Sequence, residues 1–283
     1  MKRPVRGRSS QIGFSLVELI IVILILGILS ASVGVFIAGP VRAYFETIDR
    51  ATLTAAGNAV VRRITRDLQA AVPNSARVTT SGATTFLEYV PVLDAGRYRA
   101  AASGGNDPTG TDPLVVTDAT DSSFQVLGPT VNAPAGSQLV VLNLGTGNSN
   151  LYSGTNMRTV TSIGAALQSI TFTPTTLWPA DSPGYRFFIV NGAVTYACSP
   201  NASGSGTLTR YSGYAIQASQ PNSTAAAPLS TATSSLALDD VTSCSFMPGS
   251  VSVDLNAVQL TLQLSRNGET VSLYSQAHTP NTP

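Results

Sequence analysis

The sequence is poor in reactive and charged side chains: one histidine, two cysteines, one tryptophan, and 11% charged residues in a chain of 283. His278, placed in a C-terminal tail expected to be frayed, leaves no material for a histidine-based triad or a multi-histidine metal site. Cys198 and Cys244 lie 46 positions apart, which fits neither a redox CxxC pair nor a four-ligand zinc pattern. In an exported chain they read as one structural disulfide, the alternative being two buried thiols. No P-loop, dinucleotide fingerprint or EF-hand consensus is present. Asp107, Asp112, Asp118 and Asp121 do not follow calcium-loop spacing and read as solvated loop carboxylates. No enzyme, metal or cofactor is expected.

Basic charge is concentrated at one end. Lys2, Arg3, Arg6 and Arg8 precede Gly13, and without them 12 cationic side chains face 15 carboxylates, a formal charge of −3. That balance gives no basic surface, so no nucleic-acid partner is expected. The low charge and abundant Gly, Ser, Thr, Ala, Asn and Pro of the C-terminal two thirds read as an exported, β-rich domain.

What the sequence does have is one long apolar run. Leu19 to Gly39 holds 21 residues with no charge and only two hydroxyls, Ser30 and Ser32. As a helix this run is about 30 Å long, enough to cross a bilayer once. The preceding cations favour keeping the N-terminus cytoplasmic and moving the rest outward. A cleaved secretory signal would use Ser30-Ala31-Ser32, a poor site, and a plain uncleaved anchor is the other alternative.

Gly13, Phe14 and Glu18, set between the basic leader and the unbroken apolar run, resemble the class III signal of type IV pilins and pseudopilins. The resemblance implies that a prepilin peptidase cuts between Gly13 and Phe14 and methylates the new amine of Phe14. It implies partners as well: the peptidase, an inner-membrane assembly platform, and other pilins in a filament or initiation complex. The implied location is the bacterial inner membrane, single-pass with a periplasmic globular domain, and afterwards a pilus or pseudopilus at the cell surface. Minor pilins acting in assembly or initiation are the first functional expectation. A minor pseudopilin of type II secretion, or a tip adhesin or DNA-uptake subunit, are the alternatives.

Glu18 has a physical reading of its own. A carboxylate at the edge of a membrane helix costs a few kcal/mol unless it is hydrated or paired. It either reaches the headgroups or attracts the α-amine of a neighbouring subunit's Phe14, setting axial register. Small residues at Gly27 and Ala31, Ser30 and Gly34, and Gly34 and Ala38 allow close helix approach, although ordinary membrane-helix composition explains them equally.

Pro40 lacks an amide hydrogen, which predicts a kink or local melting at Gly39-Pro40. An apolar stripe then resumes through Tyr44, Phe45, Ile48, Thr52, Ala55, Ala59, Val60, Ile64, Leu68 and Val72. Glu46 with Arg50 and Arg63 with Asp67 have ion-pair spacing. Arg62, Arg63 and Arg66 read as a solvated face rather than a site for an acidic partner. One helix is expected over 14–72, closed by Pro73-Asn74-Ser75.

Beyond it, strands are expected over Thr85–Val92, Ser123–Leu127, Gln138–Leu144, Gln168–Thr173, Thr207–Gln217 and Val241–Met247. Residues 100–113, 145–154 and 220–235 read as loops. Asn191-Gly192 and Asn267-Gly268 each predict a type I′ hairpin, joining 185–190 to 193–198 and 258–266 to 269–276. Trp178 beside Pro179 reads as a core edge rather than a ligand contact.

The pieces Tyr185-Arg186-Phe187-Phe188-Ile189-Val190, Val194-Thr195-Tyr196-Ala197-Cys198, Arg210-Tyr211-Ser212-Gly213-Tyr214 and Cys244 are similar to minor pilins of mannose-sensitive haemagglutinin pilus systems, the MshO type. The expected architecture is α+β: leader 1–13, membrane or filament-core helix 14–39, amphipathic helix 40–72, and a β-rich domain 73–283. The long helix packs on a C-terminal antiparallel sheet.

Overall fold

The computed structural model describes residues 13–101, 112–164, 169–248 and 257–279. The expected leader before Gly13, Asp107, and the strand start at Gln168 lie outside the described residues.

Helix α1 spans Leu16–Gln69, 54 residues, and stays helical through Pro40. The local melting expected there does not occur. The missing amide of one proline removes a single bond from a solvent-facing turn. At the other end the helix stops before Val72, whose N–H donates to Val90 O at 2.8 Å and so already belongs to sheet geometry.

Residues 52–69 belong to the same compact unit as the β domain. Leu53, Gly57, Val60, Ile64 and Leu68 are buried, at steps of three and four. Thr52, Ala55 and Ala59, expected on this stripe, are exposed instead. Val60, Ile64, Leu68 and Val72 are buried as expected, so the difference is confined to the stretch before Val60, where Leu53 and Gly57 face the core. A Cβ at Gly57 would stand 2.2 Å from Leu273 Cδ1 and 3.1 Å from Leu264 Cδ1, so the bare backbone lets the helix lie close against the sheet.

That sheet has seven antiparallel strands, in the order β1 (Arg77–Ser81), β2 (Thr84–Tyr89), β9 (Ala193–Ser199), β10 (Gly206–Tyr214), β11 (Thr233–Pro248), β12 (Ala257–Arg266) and β13 (Glu269–His278). Between β2 and β9 the chain leaves the sheet and forms a closed six-stranded barrel. Its strands are β3 (Asp94–Tyr98), β4 (Ser123–Leu127), β5 (Gln138–Val141), β6 (Met157–Gly164), β7 (Ser169–Phe172) and β8 (Arg186–Val190), ordered β3-β4-β7-β6-β5-β8. No barrel was expected from the sequence.

The barrel explains why β9 is buried along nearly its whole length. Val194, Tyr196 and Cys198 face α1 with Leu87 and Tyr89, while Ala193 and Ala197 join Phe86, Val140 and Val190 at the junction with the barrel. Within the barrel, Phe124 packs edge-on against Phe187 at 5.2 Å between ring centroids, and Trp178 against Phe172 at 5.7 Å. Trp178 is therefore a core residue, as expected.

One expected hairpin is overturned. β8 and β9 flank Asn191-Gly192 but do not pair: β8 bonds to β3 and β5, and β9 to β2 and β10. Asn191-Gly192 is the crossing from barrel to sheet. Gly192 is required there, since its φ is +145° and a Cβ would come 2.6 Å from Tyr214 O. Asn267-Gly268 forms the expected hairpin, with φ of 53° and 89° and Arg266 opposite Glu269.

Two further expectations change. β11 begins at Thr233 inside the expected loop, because Thr233, Ser234 and Ser235 find partners in Ser212, Tyr211 and Arg210. His278 is not frayed but ends β13, opposite Ala257.

Candidate processing and assembly site

Gly13 and Phe14 precede the helix and are exposed, Phe14 to 78%. Ser15 starts it. The Ser15 hydroxyl oxygen accepts from Glu18 N–H at 3.2 Å, and Ser15 O accepts from Leu19 N–H, also at 3.2 Å. Ser15-Leu16-Val17-Glu18 thus has the sequence of a capping box, and the Ser15 hydroxyl satisfies one of the amide donors that the first helical turn leaves open. This role of Ser15 was not among the expectations, although the S-x-x-E spacing carries the signal.

Glu18 lies in the first turn, where a carboxylate is favoured by the helix dipole. It is exposed, and among the described residues its carboxylate makes no ion pair. From Leu19 to Val33 the large apolar side chains are 45% to 61% exposed. This is the one helix among the described residues long and apolar enough to cross a membrane. Gly27, Gly34 and Gly39 have open space where a Cβ would stand.

The model of the prokaryotic N-terminal methylation motif matches residues 8–34. The chain carries a prepilin-type N-terminus. The match covers Gly13, Phe14, Glu18 and most of the apolar run, and it supports the type IV pilin and pseudopilin superfamily, with processing by a prepilin peptidase and assembly with other pilins. Comparison with curated proteins and with solved structures finds no match.

The residues carried behind the prepilin-type segment hold the domain together. Cys198 and Cys244 form a disulfide between β9 and β11, with Cα atoms 6.6 Å apart. Asp67, expected to pair with Arg63 along the helix, turns instead to the sheet. Its Oδ2 accepts from Tyr89 and Tyr196 and lies 3.5 Å from Arg210 Nε. Arg62, Arg63 and Arg66 are exposed. Glu46 accepts from Arg42 at 3.0 Å.

Glu88, on the barrel side of β2, is fully buried with its carboxylate on Arg77 and on the Tyr214 hydroxyl at 3.0 Å. Burial pushes its carboxyl up, against the opposing pull of Arg77. Arg77 in turn stacks on Tyr152, 3.4 Å from the ring centre. No local pattern marks this cluster, because its members come from four separated segments.

Asp121 accepts from Val115 N–H at 2.7 Å, and Asp118 from Thr120 at 2.8 Å; both organise their own loop. Among the described residues no three His, Cys, Asp or Glu side chains converge as metal ligands. A surface cleft of about 470 Å³ lies where α1 gives way to the barrel, lined by Gln69, Pro73, Leu93, Asp94, Arg186 and Phe188 among others.

Proposed function

We propose that this protein is a minor type IV pilin that takes part in pilus assembly or initiation. Prepilin peptidase cuts between Gly13 and Phe14 and methylates Phe14. The helix then holds the chain in the inner membrane, with the β domain in the periplasm, until it enters a filament at the cell surface. The role is structural rather than catalytic.

The observation that carries this reading is the coincidence of the matched motif with a helical stretch, Leu19 to Val33, whose large apolar side chains are exposed on every side. Such a surface is satisfied by lipid before assembly and by packed neighbours afterwards. In this reading Glu18 attracts the α-amine of a neighbouring subunit's Phe14, an interaction strengthened by low dielectric and opposed by desolvation. The similarity of the β8, β9 and β10 sequences to MshO-type minor pilins favours a mannose-sensitive haemagglutinin system within that class.

Mass spectrometry of the purified surface filament fraction tests the reading. The expected result is a chain beginning at N-methylated Phe14; absence from the fraction, or an intact leader, overturns it. A deletion strain separates the remaining alternatives: loss of surface pili supports the pilin, whereas loss of exoprotein secretion with pili intact supports a type II pseudopilin. Normal pili with lost adhesion or DNA uptake would identify a tip subunit.

A further inference from the structure

The sheet ends in a long open edge. β13 is its last strand, and among the described residues nothing pairs with its outer side. The type I′ loop at Asn267-Gly268 closes on a hydrogen-bonded pair, Arg266 with Glu269, and such pairs alternate along an antiparallel ladder. Val271, Leu273, Ser275 and Ala277 therefore bond to β12. The N–H and C=O groups of Thr270, Ser272, Tyr274, Gln276 and His278 point to the open side, and all five of these residues are exposed.

Natural edges are usually guarded by bulges, prolines, lysines or inward charges. β13 has none of these: its ten pairs with β12 run without a register shift, and no formally charged residue lies between Thr270 and His278. The opposite edge differs. β1 has five residues, and the Gln220 side chain already donates to Arg77 O at 3.2 Å.

We propose that β13 pairs antiparallel with β13 of a second copy of this chain, with Tyr274 opposite Tyr274 on the two-fold axis. This register is the one that engages all five outward residues. It sets Ser272 against Gln276 and Thr270 against His278. On the side that packs on α1 it sets Leu273 against Ser275 and Val271 against Ala277, extending the apolar layer. Glu269, the one charged residue of β13, falls outside the overlap, so no like charges meet. A row of backbone donors and acceptors calls for an extended strand, and this strand is complementary to itself. The inference rests on the sheet and does not depend on the filament reading.

Thiol crosslinking of the full chain in native membranes tests it. Both native cysteines are held in the disulfide, so Tyr274→Cys introduces the sole free thiol. Facing Cα atoms in a hydrogen-bonded pair stand about 5.5 Å apart, within disulfide range. In cells making two differently tagged copies, mild oxidation should give a dimer carrying both tags, and Thr80→Cys on the opposite edge should stay monomeric. Adding Ser272→Pro or Gln276→Pro should abolish the dimer. Each removes an outward N–H without touching the β12 ladder, and alkylation confirms that the Cys198–Cys244 bond still forms. A monomeric Tyr274→Cys, a product joined to a different protein, equal crosslinking at Thr80→Cys, or a dimer that survives both prolines overturns the proposal. Failure of cleavage after Gly13 would leave the dimer readout intact, so the two readings fail separately.

Discussion

The Tyr196 hydroxyl donates to Asp67 Oδ2 across 2.7 Å, tying the last turns of α1 to the middle of the sheet. Tyr89 donates to the same oxygen at 2.8 Å. One helical carboxylate thereby satisfies two buried phenols from strands that are neighbours in space and more than a hundred residues apart in sequence. Asp67→Ala is expected to destabilise the fold by about 2 to 3 kcal/mol, since it strands two donors, and Tyr196→Phe by about 1 kcal/mol. Chemical denaturation of the full chain in detergent measures both. A smaller loss for Asp67→Ala than for Tyr196→Phe would mean that the carboxylate is not the hub.

Glu88 predicts a pH dependence. Its folded-state affinity for a proton is raised by burial above the ordinary value of 4.5, so between these two values the folded chain holds a proton that the unfolded chain has lost. Stability from this group is complete below pH 4.5 and is lost as pH rises through the raised value. The slope of stability against pH across that window should therefore be more negative for wild type than for Glu88→Gln, as read by denaturant titrations at a series of pH values.

Gly57 predicts a packing limit. Gly57→Ala gains helix propensity but drives a methyl against Leu273, and Gly57→Leu exceeds the space altogether. Gly57→Leu should cost about 3 kcal/mol, and Leu273→Ala should recover part of that loss when combined with it. Additive losses in the double variant would show that the two residues do not share the contact.

The two Asn-Gly pairs should respond differently to alanine. Gly268→Ala strains a turn in open solvent, at about 1 kcal/mol. Gly192→Ala meets the Tyr214 carbonyl as well and should cost clearly more. Thermal melts of the two variants provide the comparison, and equal shifts would contradict the close approach at Gly192.

Glu18→Gln keeps the shape of the side chain and removes its charge. Membrane insertion should be unchanged, because the apolar run is intact, while entry into filaments should fall severalfold or more. Immunoblotting of membrane and sheared surface fractions reads the two steps separately, and normal filament levels would remove Glu18 from the assembly mechanism.

The legible parts of this protein were those governed by near neighbours in sequence. Gly13-Phe14, Glu18 and the uncharged run to Gly39 determine the prepilin-type segment without reference to anything folded, because charge, length and apolar continuity act along the chain itself. Ser123–Leu127 and the hairpin at Asn267-Gly268 could be read for the same reason: alternation and a two-residue turn are local signals. The tertiary structure alone decided that the second Asn-Gly pair separates two sheets, that Gly57 rather than Ala55 or Ala59 faces the core, and that Asp67 serves two tyrosines instead of Arg63. Each depends on which distant surface arrives opposite a given residue. A strand's partner is chosen by the burial of both its faces, and β9, covered by α1 on one side and by the barrel junction on the other, had that choice made by residues far from it in sequence.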